Sequence, residues 1–237
     1  MQINIDLGEG GKDDQFFMSS ISTCSIACGG HYGTIKTIKD TISLALRFGV
    51  NVGSHPSYPD KINFGRKSMK MNLNDFQDSI NDQLLSFRSA ISFFSIDWHH
   101  CKAHGALYND ITKNKKLAES YFEVLIEFPE IKNLILPMSK SIIKVAKKMN
   151  FNIIREVFSD RRYDQSLSLV SRNKNNSILN SLSEFKINLE QLLDGEIQVS
   201  NEVFKKISYD TICLHSDTLM SKKFIGLIKN SIKKINL

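Results

Sequence analysis

Histidines and carboxylates follow short apolar runs at several places in this 237-residue chain. Imidazole and carboxylate groups move protons and bind cations, and these uses need several such groups to meet in one place. The loops at the carboxyl ends of buried parallel strands meet on one rim, so we expect these side chains to converge. The six segments are residues 3–10, 26–31, 52–57, 102–108, 156–161 and 212–217.

Two sets of candidate residues come from these segments and the loop at 63–66. We expect a catalytic set of Asp6, His31, His55, Lys102, His104, Asp160 and His215. A second set is expected to bind substrate: Glu9, Gly29, Gly30, Arg66, Tyr108, Arg161 and Asp217. The amides of the two glycines would hold an anion near the start of the next helix. Structural alternatives remain open: a solvated turn at 6–10, a helix-capping His31, a surface Arg66 and an internal pair between Asp160 and Arg161.

The segment 97–103 is the most informative, because alternation in a strand places His100, Lys102 and His104 on one face. Titratable groups on the inward face of a buried strand are costly unless they line a polar cavity. A lysine there has two uses: with a lowered pKa it acts as a base, and with its charge retained it holds a carboxylate. The two histidines also have the spacing of a helical metal pair, which the strand-like surroundings disfavour. We expect functional roles for Lys102 and His104 and leave His100 in doubt.

Apolar runs and helical patterns alternate along the whole chain. They predict strands at 3–7, 23–28, 50–54, 97–103, 133–136, 152–157 and 211–214, and helices at 35–48, 73–94, 113–127, 139–149, 177–193 and 219–234. Such alternation indicates a parallel sheet covered by helices. An open doubly wound sheet concentrates polar groups at one switch point, whereas here nearly every strand end is polar. We therefore predict an α/β fold with a closed barrel, in one domain covering residues 1–237.

Composition excludes several classes of protein. The net charge of +6 comes mostly from lysines scattered along helical stretches, so no nucleic acid partner is expected. No apolar run reaches about 18 residues and no secretory signal pattern is present, so we expect a cytoplasmic protein with no membrane contact. The four cysteines lack paired zinc spacing and are expected to be reduced core thiols: Cys24, Cys28, Cys101 and Cys213.

Taken in series, the polar segments resemble those of the LamB/YcsF family, which provides the A subunits of the bacterial ATP-hydrolysing 5-oxoprolinase. The matching motifs are DLGEG at 6–10, IACGGH at 26–31, GSHPSYPD at 53–60, NFGR at 63–66, KAHGALYN at 102–109, EVFSDRRY at 156–163, LVSR at 169–172 and CLHSD at 213–217. The likeness covers almost the whole chain. It implies a distorted seven-stranded (β/α) barrel of the glycoside hydrolase/deacetylase type.

The same resemblance implies a function: opening of the lactam ring of 5-oxo-L-proline to give L-glutamate, driven by ATP. It also implies two partner subunits, B and C. The sequence contains neither a phosphate loop nor a dinucleotide fingerprint, so we expect ATP to be used through the partners. A divalent metal is neither required nor excluded by the family pattern.

The chain departs from the family pattern at several positions. Ser25 replaces a usual Asn, and Tyr32 and Thr34 fall in a segment where the family has a carboxylate at the position of Thr34. That loss and Ser25 favour one alternative, a non-catalytic lactam-binding or scaffolding subunit. A further alternative is a metal-dependent, deacetylase-like amide hydrolase, because the rim holds enough His and Asp residues for a metal site.

Overall fold

Seven parallel strands close into a barrel, in a computed structural model that describes residues 1–172, 174–200, 203–218 and 220–235. The strands are β1 (Gln2–Leu7), β2 (Thr23–Ala27), β3 (Asn51–His55), β4 (His100–Cys101), β5 (Asn133–Pro137), β6 (Asn152–Phe158), β7 (Glu196–Ser200), β8 (Val203–Lys206) and β9 (Thr211–Cys213). The helices are α1 (Asp14–Met18), α2 (Ile35–Phe48), α3 (Leu73–Phe94), α4 (Gly105–Lys113), α5 (Lys115–Ile126), α6 (Lys140–Lys148), α7 (Leu182–Leu193) and α8 (Ser221–Ile235). Around the barrel the strands follow the order β1-β2-β3-β4-β5-β6-β9, while β7 and β8 form a separate antiparallel pair. The predicted α/β barrel is confirmed.

The helix ends follow the expected capping chemistry. Thr34 caps α2 by accepting from the amide of Thr37, and Gly49 ends this helix in the left-handed conformation. Asn72 caps α3 by accepting from the amide of Asp75, as the sequence suggested. These caps fix where each helix begins, and the apolar face of each helix then packs on the outer face of the barrel.

Three predictions about the elements were wrong. The fourth strand is only His100–Cys101, because Lys102 and Ala103 lead directly into α4, whose N-cap residue is His104. The predicted helix 113–127 is two helices, since Asn114 ends α4 and caps α5. The predicted helix 177–193 begins only at Leu182, and the antiparallel pair β7–β8 was not predicted. The predicted helix 219–234 corresponds to α8, although its first residue, Leu219, lies outside the described residues.

The apolar core lies between the barrel and its helices, whereas the inside of the barrel is polar. On β1, Ile3, Ile5 and Leu7 belong to the apolar core, while Asn4 and Asp6 alternate with them and face inward. Inward positions on the other strands include Ser25, Gly53, His100, Glu156 and Cys213, which follow from the strand registers. Charged side chains inside a barrel require partners, and this need fixes the geometry of the site.

Gly53 makes room for this interior. A Cβ atom on this residue would lie 2.5 Å from the ring of His100, so only glycine allows the histidine to enter the barrel. His100 is buried there, with its Nε2 atom 3.1 Å from the hydroxyl of Ser25. Burial holds the pKa of His100 well below its usual value. His100 therefore serves as a neutral, structural side chain beneath the site.

Two further sequence expectations concern the whole chain. The four cysteines are free and buried, as expected. Among the described helices, none is long and apolar enough to cross a membrane.

Candidate active site

A polar cavity of about 410 Å³ opens at the carboxyl ends of the barrel strands. Ten of the predicted site residues line it: Asp6, Glu9, His55, Arg66, Lys102, His104, Tyr108, Arg161, His215 and Asp217. Two more stand directly behind this lining, since His31 contacts Glu9 and Asp160 contacts His215. The structure thus brings together residues from segments of the chain that are distant in sequence.

Lys102 lies at the bottom of the cavity and reaches into the barrel. Its side chain is 1% exposed, and its Nζ atom lies 2.9 Å from Asp6 Oδ1 and 2.8 Å from Glu156 Oε1. The amide oxygen of Asn4 accepts a further hydrogen bond at 3.2 Å. Burial alone would lower the pKa of Lys102, but the two carboxylates raise it well above its usual value. Lys102 is therefore a buried cation, and the alternative of a lysine base with a lowered pKa is not supported.

Glu156 completes this centre and was not among the predicted site residues. Its side chain is fully buried, and one of its carboxylate oxygens forms the ion pair with Lys102. The hydroxyl-bearing side chain of Tyr108 is buried nearby, and burial together with the charge of Glu156 raises the pKa of Tyr108 well above its usual value. Alternation along β6 could have predicted this position, because residues two apart on a strand face the same side. Glu156 is two positions before Phe158, which lines the cavity.

A cluster of three histidines and one carboxylate forms one wall. Glu9 Oε1 lies 2.8 Å from His31 Nε2, 3.2 Å from His104 Nδ1 and 3.8 Å from His55 Nε2. The rings of His31 and His104 stack with their centroids 3.7 Å apart. Burial lowers the pKa of His31 to about 4, so His31 is neutral and donates to Glu9. His31 therefore acts on the cavity through Glu9, and Thr34 rather than His31 caps the following helix.

The ligand atoms of Glu9, His55 and His104 all lie within 4.8 Å of one another, which is the spacing of a metal-binding group. His55 also faces the carboxylate of Asp6, with Nε2 at 3.3 Å from Oδ2. Burial alone would lower the pKa of His55, but Asp6 raises it above its usual value. The wall thus places a carboxylate oxygen of Glu9 and ring nitrogens of His55 and His104 around one point.

His215, which lines the cavity, and Asp160 behind it form a hydrogen-bonded pair. His215 Nδ1 lies 3.0 Å from both carboxylate oxygens of the fully buried Asp160. A carboxylate accepts hydrogen bonds, so Nδ1 carries the proton and Nε2 is left to act on a bound molecule. The ring of His215 is stacked on Phe158, with centroids 4.8 Å apart, which holds its plane. This is the geometry of a histidine general base or acid oriented by a buried carboxylate.

Arginines surround the mouth of the cavity. Arg66 and Arg172 both pair with the carboxylate of Asp217. Arg161 instead donates to the backbone carbonyls of Ser177 and Val170, so it braces the loop and does not pair with Asp160. Two cations against one carboxylate leave a positive balance at the entrance, which favours an anionic ligand.

Gly29 and Gly30 are not part of the cavity lining. The amide of Gly29 donates to the carbonyl of Tyr32 within a turn, so it is not available to an anion. A Cβ atom on Gly30 would lie 2.4 Å from the side chain of Gln83, so this glycine is needed for close packing behind the site. The predicted role of the two glycines in binding substrate therefore has no support in the geometry.

Thr34, which stands where the family has a carboxylate, also lies outside the cavity lining. Thr34 is exposed, and its hydroxyl caps α2 in a reciprocal pair with Thr37. Aspartate and threonine both serve as N-caps, so the exchange keeps the same structural role. The loss of this carboxylate gives no support to a non-catalytic protein.

We expect Thr34→Asp to leave the free energy of unfolding within about 0.5 kcal/mol of the wild type. Thr34→Ala should lower it by about 0.5–2 kcal/mol, because one amide at the start of α2 then loses its acceptor. Urea unfolding monitored by circular dichroism measures both. A larger loss in Thr34→Asp than in Thr34→Ala would contradict the capping role.

The closed parallel barrel, with a buried lysine and an aspartate-oriented histidine at the carboxyl ends of its strands, defines a (β/α)-barrel protein with an enzyme-like cavity. Sequence comparison identifies the particular group: the chain belongs to the LamB/YcsF family, whose model matches residues 1–237.

Similar proteins carry a consistent name. The 5-oxoprolinase A subunit of Neisseria meningitidis serogroup C (strain 053442) is 32% identical over 219 residues, which are 92% of this chain and 89% of that protein. The 5-oxoprolinase A subunit of Pyrococcus abyssi (strain GE5 / Orsay) is 33% identical over 243 residues, covering 99% of this chain and 94% of that protein. The crystal structure of the lactam utilization protein from Thermus thermophilus has a TM-score of 0.90 at 23% identity, covering 100% of this chain and 97% of that one. This last likeness shows a shared fold.

Proposed function

We propose that this protein is a subunit of an ATP-dependent 5-oxoprolinase that opens the lactam ring of 5-oxo-L-proline to give L-glutamate. The observation that carries the proposal is that one cavity holds both a buried cation and a histidine oriented by a carboxylate. A buried cation, Lys102, sits at its bottom between Asp6 and Glu156, and a histidine oriented by Asp160 lies beside it. The name of the curated relatives supports the same substrate class.

The cavity suits a small anionic amide in size and charge. Its volume of about 410 Å³ falls within the range of about 300–1,000 Å³ that small-molecule sites occupy. The arginines Arg66 and Arg172 at the mouth would attract the carboxylate of 5-oxoproline. Lys102 lies deeper, where its ion pairs with Asp6 and Glu156 would hold the carboxylate of Asp6 in position beside the bound lactam.

Ring opening requires two proton movements that the site can perform. A water oxygen bonds to the lactam carbon and loses a proton, the carbon–nitrogen bond breaks, and the nitrogen takes up a proton. His215 Nε2, with Asp160 holding the other ring nitrogen, can accept the first proton and return it to the leaving nitrogen. Asp6, held between Lys102 and His55, is the second group placed to orient the water.

ATP would enter through partner subunits. An amide is a poor electrophile, and transfer of a phosphoryl group from ATP to the lactam oxygen would make the ring carbon easier to attack. Addition of water and cleavage of the carbon–nitrogen bond would then give an acyl phosphate, which a second water would hydrolyse to the carboxylate and inorganic phosphate. This chain contains no phosphate loop, and the name of its relatives makes them one type of subunit within an assembly. We therefore propose that 5-oxoprolinase subunits of types B and C supply the nucleotide chemistry.

We expect the purified chain alone to release little or no phosphate from ATP when 5-oxoproline is present. The chain assembled with its B and C partners should produce glutamate and phosphate together. Phosphate release and glutamate formation measure this directly, with the partners assayed without this chain as the control. Full turnover by the isolated chain would contradict the proposed division of labour, and no glutamate from the complete assembly would contradict the function.

A second candidate is an amide hydrolase that depends on a metal and needs no ATP. The observation that favours it is the cluster of Glu9, His55 and His104 on the cavity wall. Hydrolysis of 5-oxoproline in the absence of ATP separates the two candidates in the same assay.

A further inference from the structure

We propose that Glu9, His55 and His104 form a binding site for one divalent transition-metal ion, open to the cavity. The role of this ion in turnover rests on the proposed function, whereas its binding does not. The inference comes from the protonation states that the hydrogen bonds impose on the two histidines.

Each of these histidines has one ring nitrogen fixed as a donor. His55 Nδ1 lies 2.8 Å from the backbone carbonyl of Lys102, and His104 Nε2 lies 2.9 Å from the backbone carbonyl of Phe64. A carbonyl oxygen only accepts, so both of these nitrogens carry protons. In a neutral ring the other nitrogen then has no proton and presents a lone pair, whereas without a metal His55 Nε2 can carry a second proton toward Asp6 Oδ2, 3.3 Å away.

The other two ring nitrogens face each other. His55 Nε2 and His104 Nδ1 are 3.0 Å apart, and Glu9 Oε1 lies 3.8 Å from the first and 3.2 Å from the second. Without protons, the two buried histidine nitrogens and the partly buried carboxylate oxygen would repel one another at these distances unless a cation lies among them. The cation is either a proton shared by the histidines or a metal ion bound by all three atoms.

The spacing fits a metal ion. A triangle with these three sides has a circumscribed circle of about 2.0 Å radius, so a point near its centre lies at a zinc–nitrogen or zinc–oxygen bond length of about 2.0–2.2 Å from every corner. Two histidines and one carboxylate are a ligand set of catalytic zinc and of non-haem iron. Magnesium and calcium prefer oxygen ligands and fit this set less well.

The surroundings have the features that support metal ligands. In each histidine the N–H group of the second ring nitrogen donates a hydrogen bond to a backbone carbonyl, which fixes the orientation of the ring. The carboxylate of Glu9 accepts from the neutral His31, whose ring stacks on His104. Glu9, His55 and His104 all line the cavity, so an ion there would keep a coordination position open to water or a bound molecule.

The test is metal binding by the purified chain, measured by isothermal titration with Zn²⁺ and by elemental analysis after dialysis. We expect one equivalent per chain. Glu9→Gln and, separately, His55→Asn should each weaken binding by at least about 100-fold. The thermal midpoint of the wild type should rise with added Zn²⁺ and that of the variants should not, which gives a readout independent of titration heat.

Two matched controls separate this site from others. His215→Asn removes a histidine of the same cavity outside the proposed ligand set, and Glu119→Gln removes an exposed carboxylate on α5. Both should bind Zn²⁺ as the wild type does. Binding that is unchanged in Glu9→Gln would overturn the proposal, and so would the absence of stoichiometric binding, which would leave a proton between the histidines. A failure of 5-oxoproline turnover bears only on the proposed function.

Discussion

Replacing Lys102 by Met should lower the free energy of unfolding by about 3–5 kcal/mol, because the fully buried carboxylate of Glu156 and the partly buried carboxylate of Asp6 would lose their cation. The aliphatic stem is conserved, so the loss comes from the charge and not from a cavity. The double variant Lys102→Met/Glu156→Gln should be more stable than Lys102→Met alone, since one unpaired charge is removed. Urea unfolding of the three proteins measures these differences.

The control is Lys36→Met, which breaks the exposed ion pair between Lys36 and Asp40 on α2. Exposed pairs contribute little, so this variant should stay within about 0.5 kcal/mol of the wild type. Turnover of the assembled complex by Lys102→Met should also fall by at least about tenfold. A Lys102→Met protein as stable as Lys36→Met would show that the buried carboxylates are neutral and that Lys102 is not their required partner.

The second large effect is expected at the histidine–aspartate pair. His215→Asn should lower the turnover number of the assembled complex by about 10²–10⁴-fold, which is the usual contribution of a general acid or base. Asp160→Asn should cause a loss of similar size, because an amide in place of the carboxylate no longer fixes the proton on Nδ1. The double variant should lose little more than either single variant, since the two residues act as one unit.

Asp210→Asn is the matched control for the aspartate. Asp210 pairs with Arg155 at the amino end of β9, on the opposite side of the barrel from the cavity. Its loss should leave turnover unchanged. Steady-state kinetics of 5-oxoproline hydrolysis distinguish the outcomes, because the site variants should lower the turnover number and change the Michaelis constant little. If the losses in His215→Asn and Asp160→Asn multiplied in the double variant, the two residues would not be acting together.

The amino-acid sequence was sufficient to predict the fold and most of the cavity. Alternating apolar runs and helical patterns indicate the parallel barrel, because each element must bury one face against its neighbours. Polar residues at or near the carboxyl ends of the predicted strands indicate the rim, and ten of the residues predicted for the site line the cavity. Element ends were predicted less well: the capping role of Asn114, which splits one predicted helix into α4 and α5, was missed.

Only the tertiary structure showed which polar groups act on the cavity and which support it. Nothing local distinguishes His31 from His55, yet one holds Glu9 from behind while the other lines the cavity. Thr34 lies close in sequence to candidate site residues but caps a helix on the surface. The position of a residue at a strand end predicts the region of the fold in which its side chain lies. The contacts of that side chain depend on the neighbouring strands.

The sequence by itself determined that histidines, carboxylates and a lysine would gather at one end of a barrel. It could not determine their charges, because a pKa depends on burial and on partners that lie far away along the chain. Glu156 is 54 residues from Lys102, and only barrel closure brings its carboxylate to 2.8 Å from Nζ. The ring nitrogen that donates a hydrogen bond in His55 and in His104 likewise depends on the backbone carbonyls of Lys102 and Phe64, whose positions depend on the packing of separate segments.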